Sequence, residues 1–213
     1  GRQEDDHIAA DRYAAKFYPI SFTEKEKILE ICKKEKVDGV TSFLIESALP
    51  YVYYIMRGLG LPCNSRECEE LTANKYTMRE QLRKKGVSIP LYEVISSPRD
   101  RINIPLPIII KPADSGGSRG ITLVRDIRDV YAAIDRALAY SPSKTAMVEQ
   151  YIDGREFSIE AISYEGRHFI LQVTDKVTTG SPNFVELEHH QPADLTLSQR
   201  SSIEQITLDM LDA

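Results

Sequence analysis

The amino-acid sequence predicts an α/β (α+β) fold, with a partial α/β unit at its beginning and two α+β lobes after it. Amphipathic helical patterns first alternate with a short apolar run, which is typical of a parallel α/β unit. From residue 89 onward, apolar runs separated by turn residues outnumber the helical patterns, which indicates a sheet. The 42% apolar and 28% charged content of the 213 residues is typical of a globular protein.

Residues 1–70 are predicted to form the partial α/β unit. The pattern consists of a charged helix at 24–36, a short strand at 37–41 and a helix at 47–59 that Gly60 closes. The residues expected to face inward from these two helices are Ile28, Leu29, Ile31, Cys32, Val52, Ile55, Met56 and Leu59. The unit lacks the strands that it would need at its beginning.

Residues 71–149 are predicted to form the first α+β lobe, which opens with a helix at 75–85. Strands are expected at 89–95, 107–111, 121–124 and 146–152. One helix at 127–140 interrupts them, with Asp126 as its N-cap. The residues of this helix expected to face inward are Ile127, Val130, Tyr131, Ile134 and Leu138.

Residues 150–213 are predicted to form the second α+β lobe. Apolar and polar residues alternate over 156–161, as in a half-buried strand, and a turn at 164–167 leads to a returning strand. Residues 178–194 are rich in Pro, Gly, Thr and His and are expected to form a long loop, and loops of that length are usually functional or disordered. A helix is expected at 198–211.

The most informative segment, residues 107–121, combines an apolar strand, a lysine and a glycine-rich loop. Lys111 ends the strand, where an unpaired buried ammonium would be costly. Gly116, Gly117 and Gly120 allow backbone N–H groups to turn toward one point at close range. A plain hairpin turn is the alternative, because Gly-Gly and Ser-Gly pairs are common in turns, but this loop is longer than a tight hairpin needs. The lysine and the loop together would suit a polyphosphate.

This loop differs from the two familiar nucleotide-binding loops. No Gly-Lys-Ser/Thr follows its glycines, so it is not a P-loop. A strand rather than a helix is expected after it, which argues against a dinucleotide-binding oxidoreductase. The phosphate would therefore be held by the flap of a β-hairpin and not by the N-terminus of a helix.

Composition narrows the classes of partner. The formal net charge of −5 argues against nucleic acid. The cysteines at 32, 63 and 68 match no zinc pattern and give no even count for disulfides, which favours a reduced, cytoplasmic setting. No apolar run reaches transmembrane length, so no membrane partner is expected.

Lys75, Lys111, the loop at 115–120 and the segment 148–160 resemble the ATP-grasp superfamily in their order and spacing. Residues 171–193 resemble its carboxylate–amine ligase branch, which includes L-amino acid ligases and carbamoyl-phosphate-synthase-like proteins. The resemblance implies a partial ATP-grasp fold, in which a remnant of a Rossmann-like α/β domain precedes two α+β lobes that bind ATP between them.

The resemblance also implies the residues of the nucleotide site. Those expected to bind the nucleotide are Lys75, Lys111, Ser115, Gly116, Gly117, Ser118, Gly120, Glu149, Gln150, Tyr151, Ile152, Glu156 and Lys176. Those expected to take part in catalysis are Lys111 and His189. Without the family pattern, Lys75 would be interpreted as a surface lysine, and Glu149 and Glu156 as ordinary strand carboxylates.

The resemblance gives each part of the nucleotide its own binding group. The two lysines and the loop would hold the phosphates, because a triphosphate needs cations and N–H groups. The carbonyls of Glu149 and Gln150 would accept from the adenine amino group, and the Ile152 N–H would donate to a ring nitrogen. Glu156 would bind the ribose hydroxyls, since charge-assisted hydrogen bonds are the stronger kind.

The segment 176–190 has a second interpretation, because it contains two glutamates and two adjacent histidines that could be metal ligands. Adjacent side chains of a strand point to opposite faces, so His189 and His190 cannot easily bind one ion. His190 is expected to be solvated. Lys176 and His189 stay candidates for the nucleotide and acceptor site on the resemblance.

The implied activity is a ligation that joins a carboxylate to an amine through an acylphosphate, with ATP and Mg²⁺ as cofactors. A carbamoyl-phosphate-synthase-like or purine-pathway ligase is an alternative, as is an ATP-binding protein without activity; a homodimer is a further expectation. The metal ligands of the family, an acidic residue on one strand and Glu-x-Asn on the next, are expected beyond residue 213. No metal ligand is therefore expected within this chain, nor turnover by these residues alone.

Overall fold

The computed structural model describes residues 13–42, 45–181 and 184–213. The chain forms two compact units, Gly1–Glu69 and Glu70–Ala213. The mixed fold of helices and sheets that the sequence predicts is confirmed. The three domain ranges stay a prediction.

The described part of the first unit is helical. Its helices are α1, Lys25–Glu35, and α2, Leu49–Leu59, which follows a 3₁₀ turn at Glu46–Ala48. Val52 and Ile55 of α2 are buried, as expected for its apolar stripe.

The strand predicted at 37–41 is wrong. Helix α1 ends at Glu35, the next residue, Lys36, has a φ of 53° that turns the backbone away from the helix axis, and residues 37–42 are irregular. No strand occurs among the described residues before Tyr92. A lone strand would leave its backbone N–H and C=O groups without partners, so the apolar pattern alone did not suffice.

Two short helices lead into the sheets. Helix α3, Arg66–Ala73, begins after Ser65, whose hydroxyl accepts a hydrogen bond from the Cys68 N–H at 3.1 Å. Helix α4, Lys75–Lys84, begins after Asn74, whose side chain accepts from the N–H groups of the first turn. Asn74 is therefore a full N-cap, and it places Lys75 at the first position of α4.

The first sheet has four antiparallel strands in the order β1-β4-β2-β3. The strands are β1, Tyr92–Ile95; β2, Ile108–Pro112; β3, Thr122–Val124; and β4, Ala146–Gln150. Helix α5, Val130–Tyr140, follows a 3₁₀ turn at Ile127–Asp129, which Asp126 caps as predicted by accepting from the Arg128 N–H.

Helix α5 covers one face of the first sheet and forms the core with it. The buried residues of this core include Ile95, Ile108, Ile110, Val124, Ala133, Ile134, Ala137, Ala146 and Val148. Ile127 and Tyr131 were expected in this core but are 71% and 60% exposed. They precede or begin the helix, where the 3₁₀ turn changes the angular position of each side chain.

The second sheet has three antiparallel strands in the order β5-β6-β7. They are β5, Glu156–Tyr164; β6, Arg167–Thr178; and β7, Glu186–His190. The hairpin predicted at 164–167 is confirmed, because Tyr164 pairs with Arg167 across the turn.

The loop predicted over 178–194 is wrong for its second half, where β7 pairs with the end of β6. All residues of β7 are exposed, so no apolar pattern marks the strand, and the backbone pairing alone defines it. Residues 182 and 183 of the predicted loop lie outside the described residues.

Helix α6, Leu197–Leu211, confirms the helix predicted at 198–211. A capping box begins it: the Thr196 hydroxyl accepts from the Gln199 N–H, and the Gln199 side chain accepts from the Thr196 N–H. Within the described part of the chain, no helix has both the length and the apolar character that crossing a membrane requires.

Candidate nucleotide-binding site

Strands β2 and β3 form an antiparallel hairpin, and the glycine-rich loop joins them. Gly120 has a φ of 75°, and a Cβ at this position would meet atoms of Pro112 and Tyr140 at 3.0 Å. Gly117 also has a positive φ, 69°, and a Cβ at this position would meet only the Arg119 side chain, at 3.9 Å. The loop is therefore packed tightly at its second end and open near its tip, as a flap over a ligand requires. Its role in phosphate binding stays a prediction.

Asp114 anchors the first end of the loop. Its carboxylate accepts a hydrogen bond from the Ser141 hydroxyl at 2.6 Å and another from the Ser143 N–H at 2.9 Å. Burial by itself raises the pKa of this carboxyl, but the hydrogen bonds from Ser141 and Ser143 outweigh burial and hold the pKa below its usual 3.8. The sequence analysis did not single out Asp114.

Lys75 ties the start of α4 to the loop. Its backbone N–H donates to the Ala113 carbonyl at 3.1 Å, and its ammonium donates to the Ser115 carbonyl at 2.7 Å. The cation therefore lies at the beginning of the loop, and its role in phosphate binding stays a prediction. The bond to Ser115 also shows a structural role, because Lys75 holds the loop near the helix N-terminus.

Lys111, Glu149 and Arg79 form a compact ionic cluster, called the Glu149 cluster here. The Lys111 ammonium donates to Oε2 of Glu149, and the Arg79 Nε–H donates to Oε1 of the same carboxylate at 2.9 Å. Glu149 is only 5% exposed. The side chains of Lys111 and Arg79 are 15% and 18% exposed, so all three charged groups are largely removed from water.

The register of the first sheet explains why the cluster forms. Lys111 pairs with Met147 and Ile109 pairs with Glu149, so Lys111 and Glu149 are diagonal neighbours on one face. Ile108 and Ile110 alternate to the opposite face and pack on α5. Lys111 therefore points away from the core, which resolves the cost of an ammonium at the end of a buried strand.

Helix α4 supplies the third member of the cluster, Arg79, which contacts Glu149 on the face of the sheet that also carries Lys111. Arg79 is four residues after Lys75, so both cations lie on one side of α4. Tyr92, which pairs with Glu149, donates its hydroxyl to Glu80, the residue next to Arg79. The sequence analysis missed Arg79, although its helical spacing from Lys75 was a signal that could have found it.

Two opposing effects act on the Glu149 carboxyl. Burial raises its pKa, whereas the charge and hydrogen bond of Lys111, followed by those of Arg79, lower it. The two cations prevail, and the pKa of Glu149 lies below its usual 4.5. Glu149 is thus an ionised carboxylate at neutral pH despite its burial.

The predicted adenine-binding hinge, residues 149–152, covers the end of β4 and the two residues that follow it. The Gln150 and Tyr151 N–H groups donate to the carbonyls of Leu91 and Pro107, at 2.9 and 3.1 Å, which fixes the segment against its neighbours. Ile152 is 62% exposed, and among the described residues no hydrogen bond engages its N–H. This leaves one donor two residues after the end of β4, and its role in adenine binding stays a prediction.

Lys176, Glu156, Glu186 and His189 form a second ionic group, called the Lys176 cluster here. Glu156, Lys176 and His189 are paired directly across β5, β6 and β7. The Lys176 ammonium lies 2.9 Å from Glu186 and 3.5 Å from Glu156, and the His189 Nε2 lies 3.6 Å from Glu186. The structure therefore brings together three of the predicted site residues and adds Glu186.

The Lys176 cluster is more exposed than the Glu149 cluster. The side chains of Glu156, Glu186 and His189 are each about half exposed, and that of Lys176 is 22% exposed. Burial lowers the pKa of Lys176, but the hydrogen bond and charge of Glu186 raise it above its usual 10.5. The bond from Lys176 holds the pKa of Glu186 below its usual 4.5.

The predicted site residues thus fall into two groups on two sheets of the same unit, Glu70–Ala213. Lys111, the loop and the hinge belong to the first sheet or follow its strands, and Lys75 of α4 contacts the loop, whereas Glu156, Lys176 and His189 belong to the second sheet. No hydrogen bond or ion pair joins the two clusters among the described residues. The His190 Nε2 lies 2.7 Å from the Glu188 carboxylate. Across β6 and β7, His190 pairs with Asp175 and not with Lys176.

Comparison with known proteins identifies the family to which the chain belongs. A family model described as an ATP-grasp domain matches residues 104–212, which is more than half of the 213 residues. The chain therefore belongs to the ATP-grasp family, which confirms the resemblance seen in the sequence. The matched range includes both ionic clusters except Arg79, and it begins after Lys75.

Several relatives are similar over part of their length. The chain is 31% identical to protein y4rH of Sinorhizobium fredii, described as uncharacterized, over 78% of this chain and 36% of the relative. It is also 31% identical to a D-alanine–D-alanine ligase of Parabacteroides distasonis, over 59% of this chain and 39% of the relative. The chain thus spans little more than a third of the length of each of these two relatives.

A solved structure shows the same fold. The L-amino acid ligase from Bacillus licheniformis superposes with a TM-score of 0.76 at 23% identity, over 92% of this chain and 51% of the ligase chain. A phosphoribosylglycinamide synthetase from Anaerococcus prevotii superposes with a TM-score of 0.68 at 18% identity, over 99% of this chain and 54% of the other. The chain corresponds to about half of each solved structure.

Proposed function

We propose that this protein acts as an ATP-dependent ligase that joins a carboxylate to an amine. The observation that carries the proposal is the pair of lysines at the glycine-rich hairpin, where Lys111 belongs to a largely buried cluster and Lys75 holds the loop. The D-alanine–D-alanine ligases among the relatives support this reaction class by their names.

The phosphates of ATP are held at the first sheet in this proposal. Lys111 supplies an ammonium at the strand end, and Lys75 supplies a second one at the start of the loop. The backbone N–H groups of residues 115–120 cover the β- and γ-phosphates as the flap closes. Such donors stabilise the charge that moves during phosphoryl transfer.

The nucleoside is held by the hinge and by the second sheet. The Ile152 N–H donates to a ring nitrogen of adenine, and the carbonyls of Glu149 and Gln150 accept from its amino group. The half-exposed carboxylate of Glu156 accepts from the ribose hydroxyls. The pairing of Glu156 with Lys176 at 3.5 Å orients this carboxylate without using all of its lone pairs.

The chemistry proceeds in two steps. An oxygen of the substrate carboxylate attacks the γ-phosphorus, which releases ADP and leaves an acylphosphate. The amine then attacks the acyl carbon, phosphate leaves and the amine loses a proton. His189, half exposed and 3.6 Å from Glu186, is the proposed acceptor of that proton.

Mg²⁺ accompanies ATP in the proposed reaction. Over 13–42, 45–181 and 184–213, no three His, Cys, Asp or Glu side chains are grouped so that they could hold a metal ion. We therefore assign the ion no ligand here and derive no step through it.

The test is a screen of the whole protein for release of ADP and phosphate in the presence of ATP, Mg²⁺ and mixtures of carboxylates and amines. Release that requires both a carboxylate and an amine is the expected result. Release that requires bicarbonate would instead favour a carbamoyl-phosphate-synthase-like reaction. Calorimetry that detects no ATP binding would contradict the proposal altogether.

A further inference from the structure

We propose that Arg79 is a positioning residue, which neutralises Glu149 so that the positive charge of Lys111 is available to the phosphates of ATP. The inference rests on the proposed function, because it assumes that a polyphosphate binds beside Lys111. It concerns a residue that lies before the matched range of the family model, 104–212.

The two cations do not compete for the same oxygen. Arg79 donates through Nε to Oε1 at 2.9 Å, whereas Lys111 donates to Oε2. An arginine has five N–H donors in a planar arrangement and stays charged at every accessible pH. Arg79 can therefore keep its bond to Glu149 when the Lys111 ammonium turns toward another acceptor.

The charge balance of the cluster gives Arg79 its role. Two cations and one carboxylate leave a net charge of +1 in the Glu149 cluster. Without Arg79, Lys111 and Glu149 would form a neutral pair, and a phosphate would have to compete with a buried carboxylate for the ammonium. In a largely buried site this difference matters, because water screens the charges less than at a surface.

Lys111 can bind a phosphate oxygen in addition to Glu149. Its ammonium carries three N–H donors at the end of a flexible chain, so it can keep one bond to Glu149 and direct another to a phosphate oxygen. Arg79 is held on α4, one turn after Lys75, which itself donates to the loop carbonyl of Ser115. Helix α4 thus carries two cations with different contacts: Lys75 binds the loop, and Arg79 binds the Glu149 carboxylate that also binds Lys111.

The experiment compares the affinities for ATP and adenosine in Arg79→Met, measured by calorimetry or by competition with a fluorescent nucleotide. ATP is expected to bind roughly ten- to a hundredfold more weakly, as when one partner of a buried charge pair is removed. Adenosine, which lacks phosphates, is expected to change by less than about twofold. Arg83→Met is the matched control, because Arg83 is one turn further along α4 and its side chain is 60% exposed.

Two further variants separate charge from folding. Arg79→Lys keeps the charge and is expected to retain most of the ATP affinity. Arg79→Met combined with Glu149→Gln restores the net charge of +1 and is expected to regain at least half of the lost binding free energy. Circular dichroism checks that each variant is folded.

The outcomes distinguish the inference from the proposed function. If the wild-type chain binds no ATP, the proposed function fails and the inference fails with it. If the wild type binds ATP but Arg79→Met binds it equally well, only the inference is overturned. Equal losses for ATP and adenosine, or no recovery in the double variant, would show that Arg79 has a structural role alone.

Discussion

The two ionic clusters of the second unit differ in their balance of charge. The Glu149 cluster combines one buried carboxylate with two cations, whereas the Lys176 cluster combines one ammonium with the two half-exposed carboxylates of Glu156 and Glu186. Leaving the histidine neutral, the first has a net charge of +1 and the second of −1. A positive group suits phosphates, and carboxylates with unused lone pairs suit hydroxyls.

The clusters differ in burial as well, and this changes what each ion pair contributes. In the Glu149 cluster, removal of the shared carboxylate leaves two cations largely buried and unpaired, which is strongly destabilising. In the Lys176 cluster, water can solvate whatever remains, and exposed pairs usually contribute little. The comparison teaches that the first cluster is integral to the fold, while the second can be altered for its ligand chemistry alone.

The largest expected effect is on stability and comes from Glu149→Gln. At pH 7 the substitution leaves two largely buried cations without their anion, so we expect a loss of roughly 3 kcal/mol in the free energy of unfolding. The folded-state pKa of Glu149 is depressed, so its stabilisation is complete above the usual value of 4.5 and is lost as the pH falls through the folded value. Urea unfolding as a function of pH should show the two proteins converging in acid.

The matched control for that prediction is Glu156→Gln in the exposed cluster. It removes a carboxylate whose side chain is 48% exposed, and we expect a loss of less than about 1 kcal/mol. Equal losses for the two variants would remove the distinction between a buried and an exposed cluster. A constant difference between wild type and Glu149→Gln down to low pH would contradict the ionised state of Glu149.

The next effect is on nucleotide affinity and comes from Lys111→Met. Methionine keeps the apolar stem but removes the ammonium, so ATP should bind roughly ten- to a hundredfold more weakly by calorimetry. Lys84→Met is a suitable control, because Lys84 is exposed at the end of α4. Unchanged affinity in Lys111→Met would show that the positive cluster does not bind phosphate.

A smaller effect is expected from Glu156→Gln on nucleotide selectivity. The variant should weaken ATP about fivefold more than it weakens 2′,3′-dideoxy-ATP, because only ATP offers hydroxyls to the carboxylate. Glu188→Gln is the control, since Glu188 is another exposed carboxylate of the second sheet and pairs with His190. Identical losses for both nucleotides would remove the ribose assignment.

The smallest effect is expected from Glu186→Gln on stability. Its ion pair with Lys176 is half exposed, so the free energy of unfolding should change by less than about 1 kcal/mol and the change should shrink further at high salt. Thermal unfolding at low and high ionic strength measures this. A loss as large as that of Glu149→Gln would show that the second cluster also supports the fold.

The sequence predicted the elements whose signals are local. The helix at 75–85, the strand–loop–strand segment around Lys111 and the hairpin at 164–167 carry caps, glycines or alternating patterns within a few residues. The strand at 37–41 failed because a short apolar run specifies a strand only where another strand can pair with it. The strand Glu186–His190 was missed for the opposite reason, since its pairing with β6 leaves no trace in its exposed, polar residues.

What the sequence determined by itself was the order of most secondary-structure elements, the glycine-rich hairpin with its lysine and the membership in the ATP-grasp family. Only the tertiary structure decided that the carboxylate of Glu149 lies between Lys111 and Arg79. Arg79 and Glu149 are 70 positions apart, and no periodicity links positions that far apart. Their contact arises because the Arg79 side chain of α4 reaches the face of the first sheet that carries Glu149, and the register of that sheet places Lys111 on the same face.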